Sequence, residues 1–333
     1  MSTRKEDKAI SDPTGFGIRN MSLLGAKITV PLMNFAFDVL NKKAEFTESW
    51  TKKDGDIYKN IPYGEYGAQK FDLYVPSNLE KEKPVGVALF IHGGTWVMGR
   101  KEHMAAGCAK IAKAGYIAAT MNYNLISEKN KNVAKVTGSK EDVNCFDMLD
   151  DITACISEIN KKLLNLGYTP SSLALSGTSA GSHLAALYAY SRYAESAIPI
   201  KMIFTITMPV SLHFEAFDNY NYNNFAAIAS LVAGKEFSGE DIKDPLSDAN
   251  KLIDTLSPVS YITEKTVPTL MGFAAKDKTI GTNHYPTIKP VLDKFGVPND
   301  VIWWKNSDHT LTSDKGTTNE FFKTAVSWMH KYM

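Results

Sequence analysis

A serine hydroxyl becomes a useful nucleophile only where the backbone thrusts it out of a sheet on a sharp, strained turn. Gly177-Thr178-Ser179-Ala180-Gly181 has the composition of such a turn. It follows a strand-like run, Ser172-Leu173-Ala174-Leu175-Ser176, and opens a helix-like run over 183–188. Gly177, Ala180 and Gly181 are small enough for a strand and a helix to close around Ser179. Upstream, the apolar run 85–91 ends in His92-Gly93-Gly94-Thr95-Trp96. On its own that segment reads as a Gly-Gly strand terminator beside a packed tryptophan. Paired with Ser179 downstream, it reads as a set of backbone N–H donors for an oxygen that gains charge during acyl transfer. One missing donor of that kind costs roughly 3–4 kcal/mol.

A serine needs a base, and the base needs an orienting acid. His309 follows the β-prone run Val301-Ile302-Trp303-Trp304 and a polar turn, and precedes a helix-like stretch over 319–331. It is the expected base. His284 and His330 read as surface residues. His183, one helical turn beyond Ser179, reads as a residue packing behind the turn. Three aspartates compete as the acid. Asp277 stands directly after the buried-strand pattern 268–274, Asp218 stands after the preceding strand, and Asp308 adjoins His309. Adjacent side chains on an extended loop diverge, which makes Asp308 local. Read from the residues alone, each of the three is a solvated loop carboxylate.

Strands are expected at 84–91, 116–122, 171–176, 202–208, 268–274 and 299–305. They alternate with helices at 103–114, 147–165, 181–194, 285–295 and 318–331, a pattern that predicts an α/β protein with a mainly parallel sheet wrapped by helices. Its site then lies at the carboxyl ends of the strands.

From about Tyr58 to the C-terminus the chain resembles serine carboxylesterases of the α/β-hydrolase fold, in the branch of hormone-sensitive lipase and the bacterial acetyl and feruloyl esterases. It is also similar to kynurenine formamidases, which share an H-G-G-x-W loop. Phe71-Asp72-Leu73-Tyr74-Val75-Pro76 is similar to the family's early strand, and Gly99 and Asn122-Tyr123 match further positions. Thr95 departs from the commoner H-G-G-G, and Tyr168-Thr169-Pro170 from the usual Gly-Asp-Pro. The resemblance implies a Ser179–His309–Asp277 triad, in the chain order serine, acid, histidine. It implies an oxyanion hole built from Gly93, Gly94, Thr95 and Ala180, and an acid at Asp151 that supports the oxyanion loop. Trp96 is expected to wall the substrate pocket. Hydrolysis of short-chain carboxylic esters through an acyl-enzyme is the implied activity, with formamide hydrolysis or a catalytically dead binding module as the alternatives.

The 333 residues carry a formal net charge of +1, so no basic excess points to nucleic acid. Cys108, Cys145 and Cys155 lack metal-ligand spacing and read as reduced core residues. No metal and no cofactor is implied. A cytoplasmic enzyme acting on a small-molecule ester is expected, with a homodimer left open. Residues 1–55 are expected to form an N-terminal segment contributing to a helical cap, and 56–333 the catalytic domain with a cap insertion at about 211–256. Residues 1–14 are polar and read as mobile or as a lid edge. The stretch 21–40 is too polar to span a bilayer, so no stable membrane insertion is expected. It reads as an amphipathic helix over the site with Ile28, Met33, Phe35, Phe37 and Leu40 on one side, and interfacial membrane binding is its alternative reading. Phe214, Phe217, Tyr220, Tyr222 and Phe225 either line a pocket mouth or pack the cap against the main domain.

Overall fold

A computed structural model describes residues 18–127 and 129–333; the reading of residues 1–14 falls outside them. Among the described residues, eighteen strands and α-helices follow in chain order. They begin with α1 (Leu23–Lys43), β1 (Gly55–Pro62), β2 (Lys70–Pro76), β3 (Pro84–Ile91), α2 (Ala105–Lys113) and β4 (Ile117–Met121). Next come α3 (Lys131–Thr137), α4 (Cys145–Asn165), β5 (Thr169–Thr178), α5 (Ala180–Ser191) and β6 (Ile200–Ile206). After them stand α6 (Tyr222–Ala233), α7 (Gly239–Lys243) and α8 (Asp248–Leu256). The chain closes with β7 (Thr269–Ala274), α9 (His284–Lys294), β8 (Asn299–Trp304) and α10 (Thr317–Tyr332).

The strands form one sheet in the order β1-β2-β4-β3-β5-β6-β7-β8. β1, β2 and β4 pair antiparallel, and every pairing from β4 through β3 to β8 is parallel. This is an α/β-hydrolase fold. Alternation along each strand divides the core in two. Val87, Leu89, Ile91, Leu173 and Leu175 join the cluster that includes α4, α5 and α9. Ala88, Phe90, Ala174 and Phe204 join the one that includes α2 and α10. Covered on both faces, the central strands are continuous apolar runs, which is why they were legible in the sequence.

Local sequence explains the supporting helices. In α4 the buried residues Cys145, Met148, Leu149, Ile152, Cys155, Ile156, Ile159 and Leu163 recur at helical spacing on the sheet-facing side. Its start is fixed by a reciprocal cap, in which Asn144 Oδ1 accepts from the Phe146 N–H and the Asp147 carboxylate accepts from the Asn144 N–H. All three cysteines are buried and unpaired, and burial pushes the Cys145 thiol up to about 12.

Two regions differ from the sequence reading. β1 was missed because only two of its eight residues are large aliphatics and it lies at the sheet's antiparallel edge. In α1, Met33, Phe37 and Leu40 turn toward the body, whereas Ile28 and Phe35 are 59% and 64% exposed. At 100° per residue the two groups fall on opposite sides of the helix, so its apolar residues form two faces rather than one.

Candidate active site

β5 runs into α5 through Ser179, whose φ of 52° and ψ of −122° lie outside the regions ordinary residues occupy. Such strain persists only where the surroundings over-determine it. The Ser179 N–H donates to Ile206 O at 2.9 Å and its carbonyl accepts from the His183 N–H at 3.1 Å. Gly181 is required by close approach: a Cβ there would lie 2.1 Å from Ile91 O and 2.5 Å from His92 O. The turn is therefore wedged against the end of β3, from which the next loop begins.

Three side chains from distant parts of the chain meet at this turn. His309 Nε2 lies 3.0 Å from Ser179 Oγ, and His309 Nδ1 lies 2.7 Å from Asp277 Oδ2. The other carboxylate oxygen, Oδ1, accepts from the backbone N–H groups of Thr279 at 2.8 Å and Ile280 at 3.1 Å. Asp277 is 3% exposed, so the carboxylate is fixed by three donors and shielded from water. The competing aspartates are engaged elsewhere. Asp218 accepts from the backbone and hydroxyl of Thr282, and Asp308 from those of Thr310.

The loop 92–100 lies beside the serine. A Cβ on Gly93 would sit 2.7 Å from Thr178 O and 3.2 Å from Ser179 Cβ, so only glycine admits this approach. Thr95 and Trp96 have φ of 48° and 62°, left-handed values that turn the chain at once. Gly94 O then accepts from the N–H groups of Val97 and Met98. Among the described residues, the N–H groups of Gly93, Gly94 and Thr95 donate to no protein acceptor. Ala180, as the first residue of α5, contributes a further N–H that the helix does not use. Trp96 is buried and meets the His183 ring edge-on, with centroids 5.4 Å apart.

Asp151 does not touch this loop. Its carboxylate accepts from Asn124 N–H at 2.6 Å, from the Asn124 amide and from the Gln69 amide at 2.8 Å. Burial raises its pKa to about 6 against the pull of those bonds. Support reaches the loop one residue away. Tyr123 Oη donates to His92 O at 3.0 Å, and the two rings stack at 4.4 Å.

Two histidines that the sequence left in secondary roles are wholly buried. His183 Nε2 donates to Leu256 O at 2.7 Å, tying α5 to the end of α8. His284, expected on the surface, is 0% exposed, and this is a correction. Its Nε2–H donates to Ile280 O at 3.0 Å, its Nδ1 accepts from the Val210 N–H at 3.2 Å, and Phe217 packs edge-on against it. It thus ties the loop carrying Asp277 to the segment leaving β6. The signal for its burial is that Ile288 and Leu292 follow at i+4 and i+8 on the same, buried face of α9. Burial lowers both imidazoles to about 4.

The segment between β6 and β7 supplies α6, α7 and α8. Its aromatics pack on one another, with Phe214 stacked on Tyr222 at 4.0 Å and Phe217 against Phe225 at 5.2 Å. A cleft of about 340 Å³ is lined by His309, Thr310, Lys276, Lys278, Thr279 and Asp308. A larger one of about 1040 Å³ lies between α6 and the stretch 126–144, and neither Ser179 nor His309 lines it. Among the described residues no group of three His, Cys, Asp or Glu side chains is placed to hold a metal ion.

Fold and relatives together define an esterase-type α/β-hydrolase fold. The chain belongs to the BD-FAE family, whose profile matches residues 71–292, more than half its length. It is similar to the isoprenylcysteine alpha-carbonyl methylesterase of Arabidopsis thaliana, 24% identical over 285 residues that cover 82% of this chain and 62% of that one. It is also similar to the kynurenine formamidase of Salmo salar, 26% identical over 128 residues that cover 38% of this chain and 37% of that one. The chain spans 55–62% of the length of the first three methylesterase relatives. Among solved structures, a truncated carbohydrate esterase from gut microbiota superposes with a TM-score of 0.66 at 15% identity, over 86% of this chain and 99% of that one. A bacterial heroin esterase does so with a TM-score of 0.63 at 19% identity, over 90% and 91%. At such identities the likeness is one of fold.

Proposed function

We propose that the protein is a serine carboxylesterase that cleaves short-chain esters through an acyl-enzyme. The observation that carries this is the unbroken relay from Ser179 Oγ through both ring nitrogens of His309 to Asp277. His309 Nε2 takes the hydroxyl proton as Ser179 Oγ attacks the ester carbon, while Asp277 holds the proton on Nδ1 and offsets the imidazolium charge. The carbonyl oxygen, now anionic, accepts from the N–H groups of Ala180, Gly94 and Thr95, with Gly93 allowing the approach. The tetrahedral intermediate collapses, the alcohol leaves with the proton from His309, and water repeats the cycle on the acyl-enzyme.

Activity is expected on p-nitrophenyl acetate through hexanoate, falling steeply for longer acyl groups. Each buried methylene adds about 0.8 kcal/mol only while the acyl pocket has room. Stoichiometric labelling by a fluorophosphonate reagent, lost in Ser179→Ala, tests the nucleophile. Failure to label an intact, folded chain would leave a non-catalytic scaffold.

A second reading has its own observation, the H-G-G-T-W loop together with the formamidase relatives. Formamide hydrolysis would use the same relay with an amine as leaving group. Parallel assays on N-formylkynurenine and p-nitrophenyl butyrate decide between them by the ratio of kcat/KM.

A further inference from the structure

α1 is a helix of 21 residues whose inner face is fixed to the body. Met33 and Phe37 pack on the core, Asn41 Nδ2 donates to His103 O at 3.0 Å, and Arg100 pairs with Asp38 at 2.6 Å. The His103 ring donates to Asn34 O at 3.3 Å. The outer face is apolar from end to end. Leu24, Ile28, Leu32, Phe35 and Val39 are 70%, 59%, 63%, 64% and 37% exposed, and their spacing of three and four residues aligns them in one stripe. Pro31 and Ala36 fill its edges and are exposed too. Contrary to the expectation that 21–40 is too polar to span a bilayer, this helix is by length and composition apolar enough to cross a membrane. Its bonds to the body hold it flat instead.

Three candidates could cover the stripe. Residues 1–17 include six charged side chains and only Met1, Ile10 and Phe16 as large apolar ones, too little apolar material for the task. A second copy of the chain would bury on the order of 500 Å² here, within the patch size monomers expose. A stable pair needs about 800 Å² from each partner. The charges favour a third occupant. Lys27, Lys42 and Lys43 are exposed on α1, while its only acid, Asp38, is engaged by Arg100. A second copy offers these lysines no acid on the stripe, whereas an anionic lipid surface offers phosphates to them and hydrocarbon to the stripe, with no demand for matching shape.

We propose that the outer face of α1 docks the protein in the plane of an anionic lipid surface. Leu24, Ile28, Leu32, Phe35 and Val39 then sit at the headgroup–acyl boundary, and Lys27, Lys42 and Lys43 face lipid phosphates. The opposite, inner side of α1 is the one linked to the serine turn: His103 holds it at Asn34 O, and the next residue, Met104, brings its Sδ to 3.9 Å from Thr178 Oγ1.

The test uses the full chain and sedimentation with sucrose-loaded vesicles, either phosphatidylcholine alone or phosphatidylcholine with phosphatidylserine. The wild type should bind the serine-lipid vesicles, and less so at high salt. Leu32→Glu/Phe35→Glu should lower binding about tenfold or more while melting temperature and p-nitrophenyl butyrate hydrolysis stay unchanged. Lys27→Glu/Lys42→Glu/Lys43→Glu should lower binding to the anionic vesicles with the apolar stripe intact. The proposal is overturned if the wild type stays in the supernatant, or if the Leu32/Phe35 variant binds as well as wild type. It is also overturned if sedimentation equilibrium reveals a dimer that the Leu32/Phe35 change dissociates, which would give the stripe to a second copy. The readout is binding, so it stands whether or not the chain hydrolyses esters.

Discussion

The two halves of the site are held in place by different means. The serine turn and the loop 92–100 are positioned by backbone packing. Ser179, Thr95 and Trp96 sit at left-handed φ, and Gly93 and Gly181 leave no room for a Cβ. The loops after β7 and β8 are positioned by side-chain hydrogen bonds instead. Asp277 collects the Thr279 and Ile280 N–H groups, His284 grips Ile280 O, and Asp314 accepts from Ser307 Oγ at 2.7 Å. The contrast has a physical origin. A nucleophile and an oxyanion hole need rigid backbone aimed at one point, while an acid and a base need a defined tautomer and freedom to exchange a proton. Steric positioning should therefore fail all at once under small changes, and hydrogen-bonded positioning by degrees.

The largest effect should come from the atom both halves serve. Ser179→Ala should lower kcat on p-nitrophenyl butyrate by about 10⁴–10⁶ with the melting temperature nearly unchanged. Retention of even a tenth of the activity would remove Ser179 from its proposed role. On the hydrogen-bonded side, Asp277→Asn should keep the fold and lower kcat by up to about 10⁴ through loss of the correct tautomer. Asp218→Asn and Asp308→Asn, whose carboxylates hold only local turns, should each cost far less. A crippled Asp218→Asn beside a near-normal Asp277→Asn would reverse the assignment.

Gly181→Ala tests the steric side. A methyl 2.1 Å from Ile91 O forces β3 and α5 apart, and about 3 kcal/mol of stability or more should be lost, as in overpacked cores. Denaturant titration measures it. A variant as stable as wild type would show that the turn yields, and that the two halves differ less than their contacts suggest.

The change expected from a single side chain is smallest for pH. His92, His183 and His284 are buried neutral, with imidazoles lowered by burial to about 3, 4 and 4 from an ordinary 6.5. A depressed folded-state pKa contributes stability that is complete above 6.5 and is lost as pH falls toward 4, at up to about 3 kcal/mol for each group. Asp151, raised by burial to about 6, acts in the opposite direction between pH 6 and 4. It offsets one histidine and not three. The melting temperature should therefore fall on acidification through this window. His284→Gln, which can donate to Ile280 O and accept from Val210 N–H without titrating, should flatten the slope. An unchanged slope would count against a buried neutral His284.

Much of the site was legible because its sterically positioned half is written in consecutive residues. Gly177 to Gly181 and His92 to Trp96 each define a local backbone path, and local sterics can be read without neighbours. The apolar runs of the parallel strands and the helix between each pair were likewise local. Residues far apart in sequence were harder. Chain order favoured His309, yet Asp277, Asp218 and Asp308 looked alike until distance separated them, since each is an aspartate in a polar loop. Distance also hid the partners of His284, since Val210 and Phe217 lie far back in the chain, although Ile288 and Leu292 on its own helical face mark that face as buried.

By itself the sequence determined where the chain would turn sharply, which runs would be buried strands, and that a serine would stand on the turn at a strand end. Those outcomes depend on interactions within a few residues. Only the tertiary structure decided which aspartate reaches His309, across 32 residues, and that His309 reaches Ser179 across 130. It alone decided that α1 turns one apolar face to the body and the other outward. Pairing over such separations is set by how the layers pack, and residue type constrains that packing only through the sum of all its contacts.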